Sequence, residues 1–468
     1  MPLPEAVFVC SIVVSLLAAW TPPRVPGPPA RVAAVLLLAA GAGLVVAGEP
    51  RWQWLPIIAG AVLALVALAS RRRGPRRAAR GLVAASTAVA LAVTAVGSLA
   101  AWSFPVVVLP EPTGEYAVGT TTVQWDDRGR EETWTDDPDD HRIVVAQMWY
   151  PADGDAGPGD RAPYLGRSAG EARVVADGLA DAFGVPGFLL DDAARADTHA
   201  TTGAEVAPGR SRYPVVVFSP GLGGVRSQNT AWAQELASHG YVVVALDHPH
   251  DSAVVVLEDG TVIRGRVAAT GDPDEDERRA AEWTSIRAQD MRFVLARLRE
   301  ENDSGRGPLA GRLDLRRVAA AGHSLGGAAA IAAAVREHGF TAVIDLDGYP
   351  GRVAATTYPQ PLLALVAGAG TGDAEGDRRY AESLDRVLEA SAGPGYRLTV
   401  AEAAHLSFTD APLYLPPVPS LVGTADRTAA HRTTARATLV FLDVTLRGAS
   451  EDLDAALSDL GGLTVFPG

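Results

Sequence analysis

An α/β fold with a mostly parallel sheet, preceded by about four transmembrane helices, is the architecture this 468-residue sequence predicts. Three observations carry the prediction. From Tyr213 onward, short β-branched runs alternate with helical segments, and strands apolar throughout belong to a parallel sheet covered on both faces. Four apolar runs of membrane-spanning length precede residue 105. Finally, Gly322-His323-Ser324-Leu325-Gly326-Gly327 lies between an apolar lead-in and an alanine-rich run, a strand, tight turn and helix in that order.

Composition narrows the chemistry. All 41 basic residues are arginine, which removes Schiff-base and Ser-Lys mechanisms. Cys10 is the single cysteine, so the chain has no internal disulfide framework and no Cys-based metal site. The net charge of -14 is unevenly spread, because residues 1–110 hold nine arginines against Glu5 and Glu49. A basic apolar segment joined to an acidic remainder reads as a membrane anchor plus a globular domain. The acidic domain excludes nucleic acid as a partner, since phosphate contacts need clustered cations.

The apolar runs are Leu3–Trp20, Val32–Gly48, Trp54–Ser70 and Gly81–Phe104, helices 3–20, 32–48, 54–70 and 81–104 of an anchor spanning 1–104. The first would read as a signal peptide but for Glu5 and the lack of arginine before it. Ser70–Arg80 carries six arginines and is expected on the cytoplasmic side, with the loop bearing Arg24 and Arg31. The loop with Glu49, Arg51, Trp52 and Trp54 reads as the outer interface. The N-terminus and everything after Phe104 are then extracytoplasmic, in a multi-pass protein of the cell membrane.

Residues 105–113, with three prolines, form the expected linker to a catalytic domain over 114–447, and 448–468 is left as a C-terminal tail. Strands are expected at Glu115–Trp125 and Ile143–Tyr150, a turn at Asp153–Asp160, and a helix of a cap at Glu171–Phe183. Then follow a strand at Pro214–Ser219, a helix near Asn229–Ser238 and a strand at Tyr241–Leu246. A charged segment, Asp272–Glu300, passes into an amphipathic helix. Strands through Val318 and at Ala342–Leu346, Leu362–Val366 and Arg397–Val400 lead to a long helix at about Ala425–Leu446.

Ser324 in its G-x-S-x-G turn has the setting of a nucleophile elbow, with glycines where strand and helix cross. A serine hydroxyl needs a base, and the base an orienting acid, both supplied after the serine by loops at strand ends. Of nine histidines, His405 alone follows such a strand in the required order. Two acids qualify. Asp347 ends the strand after the elbow helix and is favoured, because packing can hold it. Asp373 lies in a glycine-rich acidic loop after the next strand. Oxyanion donors are expected at the Leu325 amide and, from Ser219-Pro220-Gly221-Leu222-Gly223-Gly224, at Leu222 with Gly221 next, because Pro220 has no N–H. His248-Pro249-His250, flanked by Asp247 and Asp251, is weak evidence for a metal, and no metal or cofactor is assigned.

Taken jointly and in order, Tyr213–Gly223, Leu236-Ala237-Ser238-His239-Gly240-Tyr241, the elbow, Leu346-Asp347-Gly348-Tyr349-Pro350 and His405-Leu406-Ser407-Phe408-Thr409-Asp410 resemble the plasma-type platelet-activating-factor acetylhydrolases and their bacterial relatives. The resemblance covers about Gly114 to Arg447. It implies an α/β-hydrolase fold, a triad of Ser324, Asp347 and His405, and oxyanion donors at Leu222 and Leu325. It further implies a calcium-independent serine esterase that removes short or oxidised acyl chains from phospholipids. Pro220-Gly221 replaces the family's usual His-Gly, and Leu325 stands where animal enzymes carry Phe. The alternatives are a general carboxylesterase, polyester hydrolase or acyltransferase with the same triad, and a catalytically silent ligand-binding module.

Overall fold

The computed structural model describes residues 1–21, 28–48, 50–71, 77–154, 161–351, 357–370 and 373–468. The chain divides into two units, Met1–Val107 and Val108–Gly468. Arg24, Glu49, Arg72, Arg73 and Arg76 of the orientation argument lie outside the described residues, as does most of the turn expected at Asp153–Asp160.

The first unit holds α1 (Leu3–Trp20), α2 (Pro28–Ala47), α3 (Trp54–Arg71) and α4 (Arg77–Ser103). Small residues let α3 and α4 approach closely. A Cβ on Gly60 would stand 2.0 Å from Thr94 Oγ1, and one on Gly97 2.6 Å from Ile57. Glu5 is buried and ion-paired to Arg51 at 2.7 Å, while Trp54 Nε1 donates to the same carboxylate oxygen at 2.8 Å. Arg51 also donates to the Phe104 carbonyl at 2.7 Å. The start of α1, the α2–α3 loop and the end of α4 therefore share one end of the bundle. Leu17, Val35, Leu38, Val46, Leu55 and Leu99 all face outward, each more than half exposed.

The expectation of four spans is corrected by length. Leu3–Trp20 and Arg80–Ser103 are long and apolar enough to cross a membrane, whereas Ala30–Val46 and Trp54–Ser70 are apolar but shorter. Such a stretch rises about 25 Å against a hydrocarbon core of about 30 Å.

The second unit begins with β1 (Ala117–Glu131), β2 (His141–Ala152), β3 (Arg161–Pro163), α5 (Ala169–Phe183), α6 (Asp191–Ala194) and β4 (Asp197–Thr202). The central run is β5 (Tyr213–Ser219), α7 (Thr230–Ser238), β6 (Val242–Asp247), the hairpin β7 (Val254–Val256) and β8 (Val262–Arg264), α8 (Pro273–Ser304), β9 (Leu313–His323), α9 (Leu325–Arg336) and β10 (Ala342–Leu346). It closes with β11 (Leu362–Ala367), α10 (Ala374–Ala390), β12 (Gly395–Val400), α11 (Pro419–Val422), α12 (Ala429–Arg447), α13 (Leu453–Ser458) and β13 (Gly462–Phe466).

Among the described residues, eleven strands form one sheet in the order β13-β12-β11-β10-β9-β5-β6-β2-β1-β4-β3. The six from β12 to β6 are parallel throughout. Alternation along β5 shows why. Val216 and Phe218 pack under α7 and α12, while Val215 and Val217 pack under α8, α9 and α10. A strand buried on both faces reads as an unbroken apolar run. The residues left as a tail are part of this sheet: β13 pairs antiparallel with β12, from Gly395 opposite Phe466 to Thr399 opposite Gly462. Its short, half-exposed run carries no strong periodicity, which is why it gave no signal.

Candidate active site

Four parallel strands deliver the sequence-nominated residues at their carboxyl ends. β9 runs directly into Ser324, whose φ of 55° is left-handed. A non-glycine residue held there stores about 1–3 kcal/mol of strain, and places the hydroxyl clear of the backbone. The turn tolerates no side chain beside it. A Cβ on Gly322 would stand 2.1 Å from the Gly326 carbonyl, and one on Gly326 2.0 Å from the carbonyl of Ser219, on the neighbouring strand β5. Ser324 N–H donates to Leu346 O at 3.0 Å, stapling the elbow to β10.

Asp347 leaves the end of β10, also left-handed, with φ of 53°. Its Oδ1 accepts Ala367 N–H from the end of β11 at 2.8 Å, and its Oδ2 meets His405 Nδ1 at 2.7 Å. His405 opens a short 3-10 turn, His405–Phe408, beyond β12, and its Nε2 lies 2.9 Å from Ser324 Oγ. With Nδ1–H donated to the carboxylate, Nε2 presents its lone pair to the serine hydroxyl, the tautomer that base catalysis needs. Burial opposes the charge on Asp347, but the hydrogen bond and charge of His405 and the Ala367 N–H outweigh it and hold the carboxyl below its ordinary value. The Asp347 side chain is 10% exposed and that of His405 45%, so the hydrogen-bonded chain is closed at the carboxylate and open to solvent at the imidazole.

The other acid is placed differently. Asp373 caps α10, accepting Glu375 N–H at 3.2 Å. Asp345, two residues before Asp347, is buried beneath the elbow with Gly348 N–H on its Oδ1 at 2.9 Å. Burial and the nearby Asp347 push its carboxyl far up.

The loop after β5 passes over the serine, because a Cβ on Gly221 would stand 3.4 Å from Ser324 Cβ. Gly221 N–H is taken by Gln228 Oε1 at 3.2 Å. Among the described residues neither Leu222 N–H nor Leu325 N–H makes a hydrogen bond. Both nitrogens of His248 are occupied, Nε2 by Ser219 Oγ at 2.9 Å and Nδ1 by Asp290 Oδ2 at 2.8 Å, and Asp251 pairs with Arg287. Asp247 pairs with Arg226.

Sequence reasoning missed the supports around His405. Gln228 Nε2 donates to His323 Nδ1 at 3.0 Å, and His323 Nε2–H donates to the His405 carbonyl at 3.0 Å. Burial, with the neighbouring His405, pushes His323 down to about 3, so it is a neutral connector between Gln228 and the His405 backbone. Asn229 Nδ2 donates to Phe408 O at 2.6 Å, and Asp410 accepts Ala231 N–H at 3.2 Å at the start of α7. The sequence shows His323 next to the nucleophile, but an adjacent residue on a strand points the other way, and only the tertiary fold brings His405 to meet it.

The model of the family described as platelet-activating factor acetylhydrolase, isoform II, matches residues 101–290 and 301–459, more than half of the chain. The chain belongs to this family. Among curated acetylhydrolase relatives, the probable 1-alkyl-2-acetylglycerophosphocholine esterase of Arthroderma benhamiae is 28% identical over 207 residues, 42% of this chain and 49% of that protein. The platelet-activating factor acetylhydrolase of Cavia porcellus is 29% identical over 184 residues, 33% of this chain and 40% of that protein. The chain thus spans about half of the length of the curated acetylhydrolases it matches. Among solved structures, a ferulic acid esterase from Streptomyces cinnamoneus superposes with a TM-score of 0.59 at 29% identity, over 76% of this chain and 98% of that one.

Proposed function

We propose that this acetylhydrolase-family chain is a membrane-anchored serine ester hydrolase that releases short or modified acyl chains from phospholipids or related lipid esters. The observation that carries the reading is the solvent-open hydrogen-bonded chain from Ser324 Oγ through His405 to Asp347. His405 Nε2 takes the serine proton as Oγ attacks the ester carbonyl. The developing oxyanion is held by Leu222 and Leu325 N–H. The imidazolium, steadied by Asp347, returns its proton to the leaving alcohol as the carbon–oxygen bond breaks, giving an acyl-Ser324. Water, deprotonated by His405, then adds to that acyl group, and the acid leaves as Ser324 regains its proton.

The membrane assignment rests on the first unit. Its helices carry large apolar side chains on their outward faces, an arrangement that water disfavours and lipid satisfies. The arginine distribution supports a catalytic domain on the extracytoplasmic side. The similarity to a ferulic acid esterase favours a second reading, a carboxylesterase acting on soluble esters.

The test is to assay detergent-solubilised full-length protein and Ser324→Ala on short-chain nitrophenyl esters and on phospholipids with an acetyl or a long sn-2 chain. Ser324-dependent release of acetate from the phospholipid is the expected result. Turnover of nitrophenyl esters alone selects the carboxylesterase, and no Ser324-dependent turnover at all selects a silent module. A reporter fused after Gly468 that is active only in the cytoplasm would overturn the orientation.

A further inference from the structure

Where β5 enters the oxyanion loop lies a second Ser–His–Asp hydrogen-bonded chain. Ser219 Oγ, His248 and Asp290 are linked at 2.9 and 2.8 Å, almost the spacings of the catalytic relay, yet all three residues are 0% exposed. No ester reaches them, so they do not form a second reaction centre. They and Arg287 tie β5, β6 and α8 together. Arg287 and Asp290 stand three residues apart on α8 and therefore on one helix face.

Arg287 is also 0% exposed and spends every N–H it has. Nε and Nη2 grip Asp251 at 2.6 Å each. Nη1 donates to Pro220 O and stands 3.5 Å from Ser219 Oγ, and Nη2 donates to Gly221 O at 3.0 Å. The two carbonyls it holds belong to consecutive peptide units of the oxyanion loop. In a trans peptide the N–H points opposite to the C=O. Holding Pro220 O therefore sends Gly221 N–H the other way, where Gln228 receives it. Holding Gly221 O sends Leu222 N–H away from Arg287. A charged donor on the carbonyl also polarises that peptide and strengthens its N–H as a donor.

We propose that Arg287, clamped by Asp251, is the positioning residue of the oxyanion hole: it fixes the Gly221–Leu222 peptide so that the Leu222 amide is already aimed at the developing oxyanion. This rests on the catalytic reading given above. A lysine at this position keeps the charge but cannot hold two carbonyls and a carboxylate in one plane. Loss of one oxyanion donor costs about 10²–10³ in kcat.

The experiment compares full-length wild type, Arg287→Lys and Ser324→Ala on a nitrophenyl ester, with binding of a trifluoromethyl ketone, which forms a tetrahedral adduct, and of a carboxylate product as a ground-state ligand. The expected result for Arg287→Lys is a kcat lower by at least about tenfold with KM within about threefold. Ketone affinity should fall in proportion, product affinity should hold, and the acid limb of the pH profile should not move. A merely structural ion pair would change ketone and product binding alike. Wild-type turnover with an unchanged kcat in Arg287→Lys overturns this proposal alone, and absence of Ser324-dependent turnover in wild type overturns both. Should Arg287→Lys not fold, Asp251→Glu keeps both charges and shifts the guanidinium by one methylene, and an unaltered kcat there overturns the proposal equally.

Discussion

The Nδ1 of His405 lies 2.7 Å from Asp347 Oδ2, and the opposite oxygen of that carboxylate is pinned by Ala367 N–H at 2.8 Å. The acid is therefore held from two strands at once, and its free oxygen has one direction in which to face. Asp347→Asn keeps this shape but offers His405 an amide donor, which favours the wrong tautomer. The expected outcome is a kcat lower by about 10³–10⁴. Asp373→Asn removes a helix cap and should leave kcat unchanged. Steady-state hydrolysis of a nitrophenyl ester by both variants checks this, and the reverse ranking would sink Asp347 as the acid.

His323 touches the base but should not titrate with it. With burial pushing it down to about 3, it is neutral wherever the enzyme is assayed. His323 should then add no ionisation to the acid limb of kcat/KM, which a plot of log kcat/KM against pH checks. A limb with slope two would show that His323 gains a proton as well.

Asp410 gives the fold a pH dependence of opposite sense to most carboxylates. Burial pushes its carboxyl up to about 7, against an ordinary value of 3.8. Between those values the folded chain retains a proton that the unfolded chain has released. Stability therefore falls as pH rises through the window and levels off above it. Asp410→Asn, with no proton to lose, should gain stability relative to wild type as pH rises from 4 to 8. Thermal unfolding of the two proteins across that range measures it, and a constant difference in Tm would contradict the assignment.

The fold around Ser324 was legible because its signals are local. The elbow motif and the apolar runs of β5 and β10 are visible in short windows, and the order of His405 after the serine is read along the chain. Arg287 gave no such signal. It lies in a 32-residue helix in which Arg278, Arg279, Arg297 and Arg299 form ordinary pairs with glutamates, as Arg278 does with Glu275. Only the crossing of α8 beneath β5 distinguishes it. The supports at Gln228 and Asp410 were hidden likewise, since their partners are 95 and 179 residues away. The edge strand β13 escaped because pairing with β12, not its own sequence, makes it a strand.

Gly326 is a sharper test of the elbow than the serine itself. Gly326→Ala must push α9 away from the Ser219 carbonyl, which a Cβ would approach to 2.0 Å. Overpacking of this kind costs about 1–3 kcal/mol, occasionally more. It also displaces the nucleophile, and a 1 Å misplacement can cost about 10² in rate. Denaturant unfolding and kcat should fall together. A variant with full activity would show that the crossing is looser than the structure has it.

The left-handed backbone at Ser324 sets evolution two opposed tasks at one codon. Glycine adopts φ of 55° without strain, so Ser324→Gly is expected to raise the unfolding midpoint while ending turnover. A laboratory selection that rewards only expression or heat resistance would drift toward that inactive form. Silent descendants of this enzyme should therefore be sturdier than their parent, and a surviving serine at this turn is itself a record of selection for chemistry.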